Sequence, residues 1–274
     1  MESWTKEIFG GGAMKFWRVW KGWLALQVSA EMAYKLNFIL KMFAMITFDS
    51  FGPLLAFVIY NVSSGIPGWN FSEFLLMQGA WTLTTGLTHL LFWGFSGRVI
   101  EGVRDGNYDL VLMKPANPLV LALATGADMD GSSRVAVGSV ISIFALIKLG
   151  WIFNIVNFMS FVLLVIAAIL FLLSLQVIIA AMAFLYVKSW TLMNIFDVLI
   201  DLGKNPLSVL GPIGMSFFTY CLPIGLAAFY PASALLGKIA IVNVIGMFFV
   251  GLTFFAFSAG LWSFGLKHYT SAGG

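Results

Sequence analysis

The chain has 274 residues, 60% of them hydrophobic and only 10% charged, against about 45–50% apolar and about 25% charged in an ordinary soluble domain. That balance excludes a water-soluble monomer, and a mean hydropathy of +0.95 spreads the apolar excess over most of the length. A net charge of +3, scattered along the sequence, leaves no footprint for nucleic acid.

Two architectures satisfy every backbone group in lipid, the helix bundle and the closed β-barrel. A barrel would alternate apolar and polar residues in segments of about ten. The runs here do not alternate, and Phe158 to Val187 carries no charged side chain at all. As a helix that stretch would extend roughly 45 Å, more than a hydrocarbon core of about 30 Å requires. The predicted fold class is an all-α integral membrane protein of six transmembrane helices, in one domain without internal repeats.

Residues 1–35 form the first segment. Gly10 to Gly12 reads as a joint, and after it Phe16, Trp17, Trp20, Trp23, Leu24 and Val28 recur at spacings of three and four among Lys15, Arg18 and Lys21. Tryptophan favours the headgroup zone and basic side chains favour an anionic leaflet, so this pattern predicts an amphipathic helix lying in the interface. No small-residue cleavage site marks a secretory signal.

The span domain covers 36–266, with predicted helices Leu36 to Tyr60, Glu73 to Phe95, Arg134 to Phe153, Phe158 to Val187, Leu207 to Phe229 and Ile239 to Phe264. Residues 267–274 form a tail that frays from Ser271. Alternating spans gather Lys6, Lys15, Arg18, Lys21, Lys35, Arg98, Arg104, Lys114, Lys188, Lys204 and Lys267 on one side, leaving Lys148 and Lys238 on the other. Translocation disfavours short basic loops, so the crowded side is the cytoplasm and both termini lie there. The fifth span is punctuated by Pro206, Pro212, Pro223 and Pro231 with Gly211, Gly214 and Gly225. It should be broken, with Cys221 to Lys238 either partly re-entering the outer leaflet or forming a short outer loop.

Few polar residues interrupt the spans. Asp49 lies near the middle of the first, where a carboxylate must face protein or water. It serves either as a gating group or as a staple between helices. His89, with Thr82, Thr84, Thr85 and Thr88, makes the second span the most polar, through hydrogen bonds between helices or as a pathway face. Asp128, Asp130 and Arg134 read as interfacial and cytoplasmic, and Asp197, Asp201 and Lys204 fall in the third cytoplasmic loop. Phe217, Phe218 and Tyr220, with Met42, Met45 and Phe57, are candidate cargo contacts, since methionine and aromatic surfaces adapt to varied apolar shapes. The lone cysteine, Cys221, reads as a buried structural thiol. Two histidines and one cysteine at these spacings supply no metal site.

The densest polar text is RVIEGVRDGNYDLVLMKPANP, Arg98 to Pro118. Glu101, Arg104, Asp105 and Asp109 set both charge signs within about three helical turns, Gly102 and Gly106 allow a turn, and Pro115 and Pro118 end the helical option. This loop, the Ala33-Tyr34-Lys35-x-Asn37-Phe38 run entering the first span, and Phe229-Tyr230-Pro231-Ala232 resemble the permease subunits of type-2 ATP-binding-cassette exporters. The loop motif appears as Ile100 with Gly102, Gly106 with Tyr108 and Asp109, Leu112 with Lys114 and Pro115, and Asn117 with Pro118. It departs from the family pattern by the extra Val103, Arg104 and Asp105.

The resemblance implies a half-transporter that pairs with a second permease copy or a related permease and with cytoplasmic ATPase subunits. Glu101, Gly102, Asp105, Gly106, Asp109, Lys114 and Pro115 would form the ATPase-coupling loop, and the tryptophan-rich segment the connecting helix. No G-x-x-x-x-G-K-[ST] run occurs, so the chain carries no cofactor and ATP with Mg would be bound by the partner. The expected function is export of a lipophilic or amphipathic drug, lipid or peptide through the cytoplasmic membrane. The alternatives are a nucleotide-independent channel or scramblase, and a lipid-modifying enzyme using Asp49 and His89.

Overall fold

A computed structural model describes residues 12–63, 65–186, 193–194, 198 and 200–270. Lys6, Lys188, Asp197 and the tail from Ser271 lie outside the described residues. The described chain is helical throughout, in the order α1 (Gly12–Ala33), α2 (Lys35–Val62), α3 (Phe71–Phe92), α4 (Gly94–Arg104), α5 (Asp109–Leu112), α6 (Pro118–Ala124), α7 (Gly131–Lys148), α8 (Ile155–Ala183), α9 (Gly211–Ser216), α10 (Phe229–Leu235) and α11 (Ile241–Lys267). Four of these, α2, α7, α8 and α11, are long and apolar enough to cross a membrane. The 22-residue α3 matches them in length but carries Glu73, Gln78, His89 and four threonines.

Local chemistry sets several starts. α3 begins at Phe71, two residues before the predicted Glu73, because Asn70 and Glu73 form a capping box: the Glu73 N–H donates to Asn70 Oδ1 at 2.9 Å and the Asn70 N–H to Glu73 Oε2 at 3.1 Å. Asn154 caps α8 and Asn117, followed by Pro118, caps α6.

Helices in lipid gain little from burying apolar surface against one another, so they associate where small residues let backbones approach. α3 and α7 do this twice. A Cβ on Gly86 would come within 2.8 Å of the Val135 nitrogen, and one on Gly79 within 2.7 Å of the Ser142 nitrogen. Gly131 and Gly138 answer from α7, against the backbones of Leu90 and Leu83. The pairs ascend one helix while descending the other, so α3 and α7 are antiparallel. α8 and α11 meet the same way: Cβ atoms on Gly251 and Gly265 would lie 2.6 and 2.7 Å from the carbonyls of Ala167 and Ala181. Here both series ascend together, and α8 and α11 are parallel.

Parallel packing constrains topology. The chain leaves α8 at one end of the bundle and must enter α11 at the other, so residues 184–240 make a return passage. That passage is not one continuous helix. Gly203 stands beside Trp81 and the Ile224 carbonyl, each 2.9 Å from where its Cβ would be, and the Leu207 side chain packs on Gly225. Between these contacts Leu207–Leu210, α9 and a π turn, Phe217–Cys221, form an arm whose Ile213, Phe217 and Tyr220 are exposed. After Pro223 the chain is buried from Ile224 to Leu235, with Phe229 on Trp69 and the Trp151 Nε1–H donating to the Leu235 carbonyl at 2.9 Å.

Three local expectations are corrected. Cys221 is exposed, because it ends the arm where Pro223 breaks the chain. Thr82, Thr85 and Thr88 donate to carbonyls of their own helix, those of Gln78, Trp81 and Thr84, and do not bridge helices. Asp201 and Lys204 are not at the end of the bundle: Gln78 Nε2 donates to the Lys204 carbonyl at 2.8 Å, which sets the segment against the middle of α3.

Gly138→Leu forces a side chain against the backbone of α3, which cannot yield. The expected loss is about 1–3 kcal/mol of stability, read as a lower thermal midpoint in detergent. Gly246→Leu, where nothing lies within 4 Å of the added Cβ, leaves the midpoint unchanged or raised.

Candidate functional site

The loop between α3 and α7 is built as a hook. α4 carries Glu101 and Arg104 on its exposed side and ends as the Asp105 N–H donates to the Glu101 carbonyl at 2.9 Å. Gly106 turns the chain with φ +70°, a conformation glycine adopts without penalty. The Tyr108 N–H then donates back to the Gly102 carbonyl at 2.9 Å, with the Tyr108 ring 3.4 Å from where a Gly102 Cβ would sit. α5 follows, and Lys114 and Pro115 lie exposed beyond it. The predicted coupling residues thus share one projecting element, with Glu101, Asp105, Leu110, Met113, Lys114 and Pro115 on its outer surface and Asp109 half-buried at the start of α5. The Arg104 Nε–H donates to Asp105 Oδ1 at 2.9 Å, and this bond holds the Asp105 carboxyl below the usual carboxylate range.

Tyr108 fixes the hook to the bundle. Only 2% exposed, its ring sits 5.2 Å from Phe184, 6.1 Å from Tyr269 and 6.5 Å from Trp262. Phe184 and Trp262 are 4.9 Å apart. The hook therefore rests on the ends of α8 and α11, the pair joined by Gly251 and Gly265. In the sequence Tyr108 stands out only as a motif position and as an aromatic inside the most polar loop. Burial pushes its phenol up from the ordinary value.

α1 is tied to the same end. The Trp23 Nε1–H donates to the Ala127 carbonyl at 3.0 Å, the Arg98 guanidinium lies 4.7 Å over the Trp23 ring, and Arg98 also donates to the Thr125 carbonyl.

A second arrangement lies inside the bundle. Asp49 and His89, the two polar residues singled out in the spans, line one cavity of about 280 Å³. It runs from Trp81 and Lys204 at mid-height to Trp93 and Ser96 near the hook. Asp49 Oδ2 is 3.4 Å from Arg134 Nε, so the carboxylate of α2 faces the arginine at the start of α7. Lys204 Nζ is 2.8 Å from Asp201 Oδ2. His89 stacks on Trp93 with ring centres 4.4 Å apart and places Nε2 3.8 Å from Asp128 Oδ2. Asp128 lies below the usual carboxylate range despite burial, because the His89 ring stands close by and the Asp130 N–H donates to its Oδ1 at 3.0 Å. Phe217, Phe218 and Tyr220 lie elsewhere, on the arm; Tyr220 borders a groove with Trp69, Phe229 and Tyr230. No cluster of three metal-ligating side chains occurs among the described residues.

The family model described as ABC-2 family transporter protein matches residues 46–273. The chain belongs to this ABC-2 family. It is a multi-pass membrane permease component of an ABC transporter, of a type that works with ABC ATPase subunits and is not itself catalytic. The match takes in the hook, the cavity and the arm, and begins beyond Ala33 to Phe38. No curated protein and no solved structure matches.

Tyr108→Ala removes a buried ring, and loss of such a ring costs about 3–5 kcal/mol; the expected readout is cleavage within residues 104–117 under limited proteolysis. Tyr108→Phe keeps the packing and alters the pH response. An unfolded tyrosine ionises near pH 10 while the buried phenol stays neutral, so the wild type alone should lose this increment of stability as pH rises above about 10. The measurement is the difference in thermal midpoint between wild type and Tyr108→Phe across that range.

Proposed function

We propose that this chain is the membrane half of an ATP-driven exporter, carrying lipophilic or amphipathic cargo out of the cytoplasm or the inner leaflet. In this reading α3 and the return passage of residues 184–240 bring the crossings to six, α1 is the connecting helix at the cytoplasmic face, and Ile224–Leu235 re-enters from the outer side. Both termini lie in the cytoplasm, and the protein resides in the cytoplasmic membrane.

The observation that carries the reading is the hook. An acidic and apolar surface, Glu101, Asp105, Leu110, Met113 and Pro115, stands clear of the bundle while Tyr108 roots it on α8 and α11. A soluble ATPase subunit docked there would pull on the two helices that meet backbone to backbone. ATP and Mg would be bound by that subunit, and hydrolysis would do work here only by favouring a bundle state that holds cargo less tightly. A second copy, or a related permease, would complete the pathway; the exposed apolar side chains of α2, among them Phe43, Phe48, Leu54 and Leu55, offer it a surface.

Glu101→Lys reverses one charge on the hook without touching the core. The expected result is cargo-stimulated ATP hydrolysis lowered about tenfold, the scale of a ~1.4 kcal/mol loss in docking, with membrane insertion intact. Unchanged stimulation in both Glu101→Lys and Asp109→Lys counts against the hook as the docking element.

A further inference from the structure

We infer that the cavity lined by this single chain is a binding site for an uncharged amphiphile bearing hydroxyl or amide groups. The inference deepens the export reading by naming the class of molecule the bundle holds.

Three polar side chains from three helices line the cavity, each with one buried atom left without a hydrogen bond among the described residues. His89 of α3 is 6% exposed, Ser96 of α4 is 1% exposed and Gln176 of α8 is 8% exposed. His89 Nδ1, Ser96 Oγ and Gln176 Oε1 have no hydrogen-bonding partner among the described residues, although all three residues line the same space. One orphaned polar atom buried in a helix bundle is costly, and buried polar groups are almost always satisfied. Three around one cavity mark it as a place where a polar group is received.

The walls also say what kind of group. The charges that line the cavity offset one another, Asp49 facing Arg134 at 3.4 Å without a hydrogen bond and Lys204 paired with Asp201 at 2.8 Å. His89 Nε2 is committed toward Asp128. An incoming ion would find no free counter-charge and would lose its hydration. A hydroxyl or amide suits these groups, since His89 Nδ1 and the Gln176 oxygen accept and Ser96 can donate or accept. The rest of the lining, Trp81, Trp93, Leu172 and Ile179, suits an alkyl or aromatic body. A volume of about 280 Å³ lies at the lower edge of the range for small-molecule sites.

Position gives occupancy a consequence. His89 and Ser96 lie at the end nearest the hook, so the head of the amphiphile sits there and its tail points toward Trp81. Ser96 is on α4, the helix that also carries Glu101, so a bound head would touch the element through which the ATPase acts.

The test uses the purified chain in lipid nanodiscs with no ATPase present and radiolabelled octyl glucoside below its solubilising concentration. Its failure would thus leave the export reading to be judged on coupling alone. Expected is one saturable site per chain above the binding of empty nanodiscs, displaced by unlabelled octyl glucoside and not by octyl sulfate or octyltrimethylammonium. Gln176→Leu and Ser96→Ala each weaken it by about three- to tenfold, the worth of one hydrogen bond. The Gln176→Leu chain unfolds at or above the wild-type midpoint, because a buried orphan has been removed. Absence of saturable binding, equal affinity in both variants, displacement by the charged analogues, or a lowered midpoint in Gln176→Leu overturns the proposal.

Discussion

Backbone approach at glycine is the constraint on which the rest of this molecule depends. In lipid an apolar side chain gains little by exchanging a hydrocarbon neighbour for a protein one, so α3 and α7, and α8 and α11, are held where Gly79, Gly86, Gly131, Gly138, Gly251 and Gly265 bring main chains together. Those contacts also fix direction. Because α8 and α11 run parallel, the chain between them must travel back along the bundle. The prolines at 206, 212, 223 and 231 decide that it does so in pieces. The arm and the buried turn after Pro223 follow from a passage that cannot be one helix.

The same directions place the polar groups. α2 and α7 lie side by side in register, so Asp49 meets Arg134, Met45 meets Ser133 and Lys41 meets Asp130 at successive levels. The charges thus sit as pairs between α2 and α7, and the cavity between α3, α4 and α8 carries charge without net charge on its walls. Below it, Tyr108 joins the hook to Phe184 and Trp262, at the foot of the α8–α11 contact. In the proposed reading a push on the hook would be received by packed aromatic rings and passed to helices that touch through their backbones, an arrangement that shifts as a body more readily than it bends.

Much of this was legible in the amino-acid sequence, unevenly. The long apolar runs announced α2, α7, α8 and α11, because length and hydropathy are local properties. The tryptophan and basic spacing announced α1. The polar loop with Gly106 and Pro115 announced the hook, whose turn needs a positive φ. An N-x-x-E pattern at Asn70 to Glu73 could have placed the start of α3. What stayed hidden depends on neighbours distant in the chain. The pairing of Arg134 with Asp49 joins residues far apart in the chain. Asp201 and Lys204 looked like loop charges because nothing local told that they fold back against Trp81. Gly79 with Gly86 and Gly131 with Gly138 share one interval of seven, a signal readable only once the two helices are known to face each other. The orphaned atoms of His89, Ser96 and Gln176 come from three helices, and only the fold brings them to one space.

We propose that the hook faces the cytoplasm and is where an ATPase subunit engages. Placing a single reactive thiol on it, Met113→Cys in a Cys221→Ala background, allows the side to be read with a membrane-impermeant maleimide in intact cells and in inverted membrane vesicles. The account predicts labelling in inverted vesicles alone, suppressed when the ATPase subunit is present. Labelling from outside intact cells, or labelling in vesicles that the ATPase leaves untouched, would contradict it.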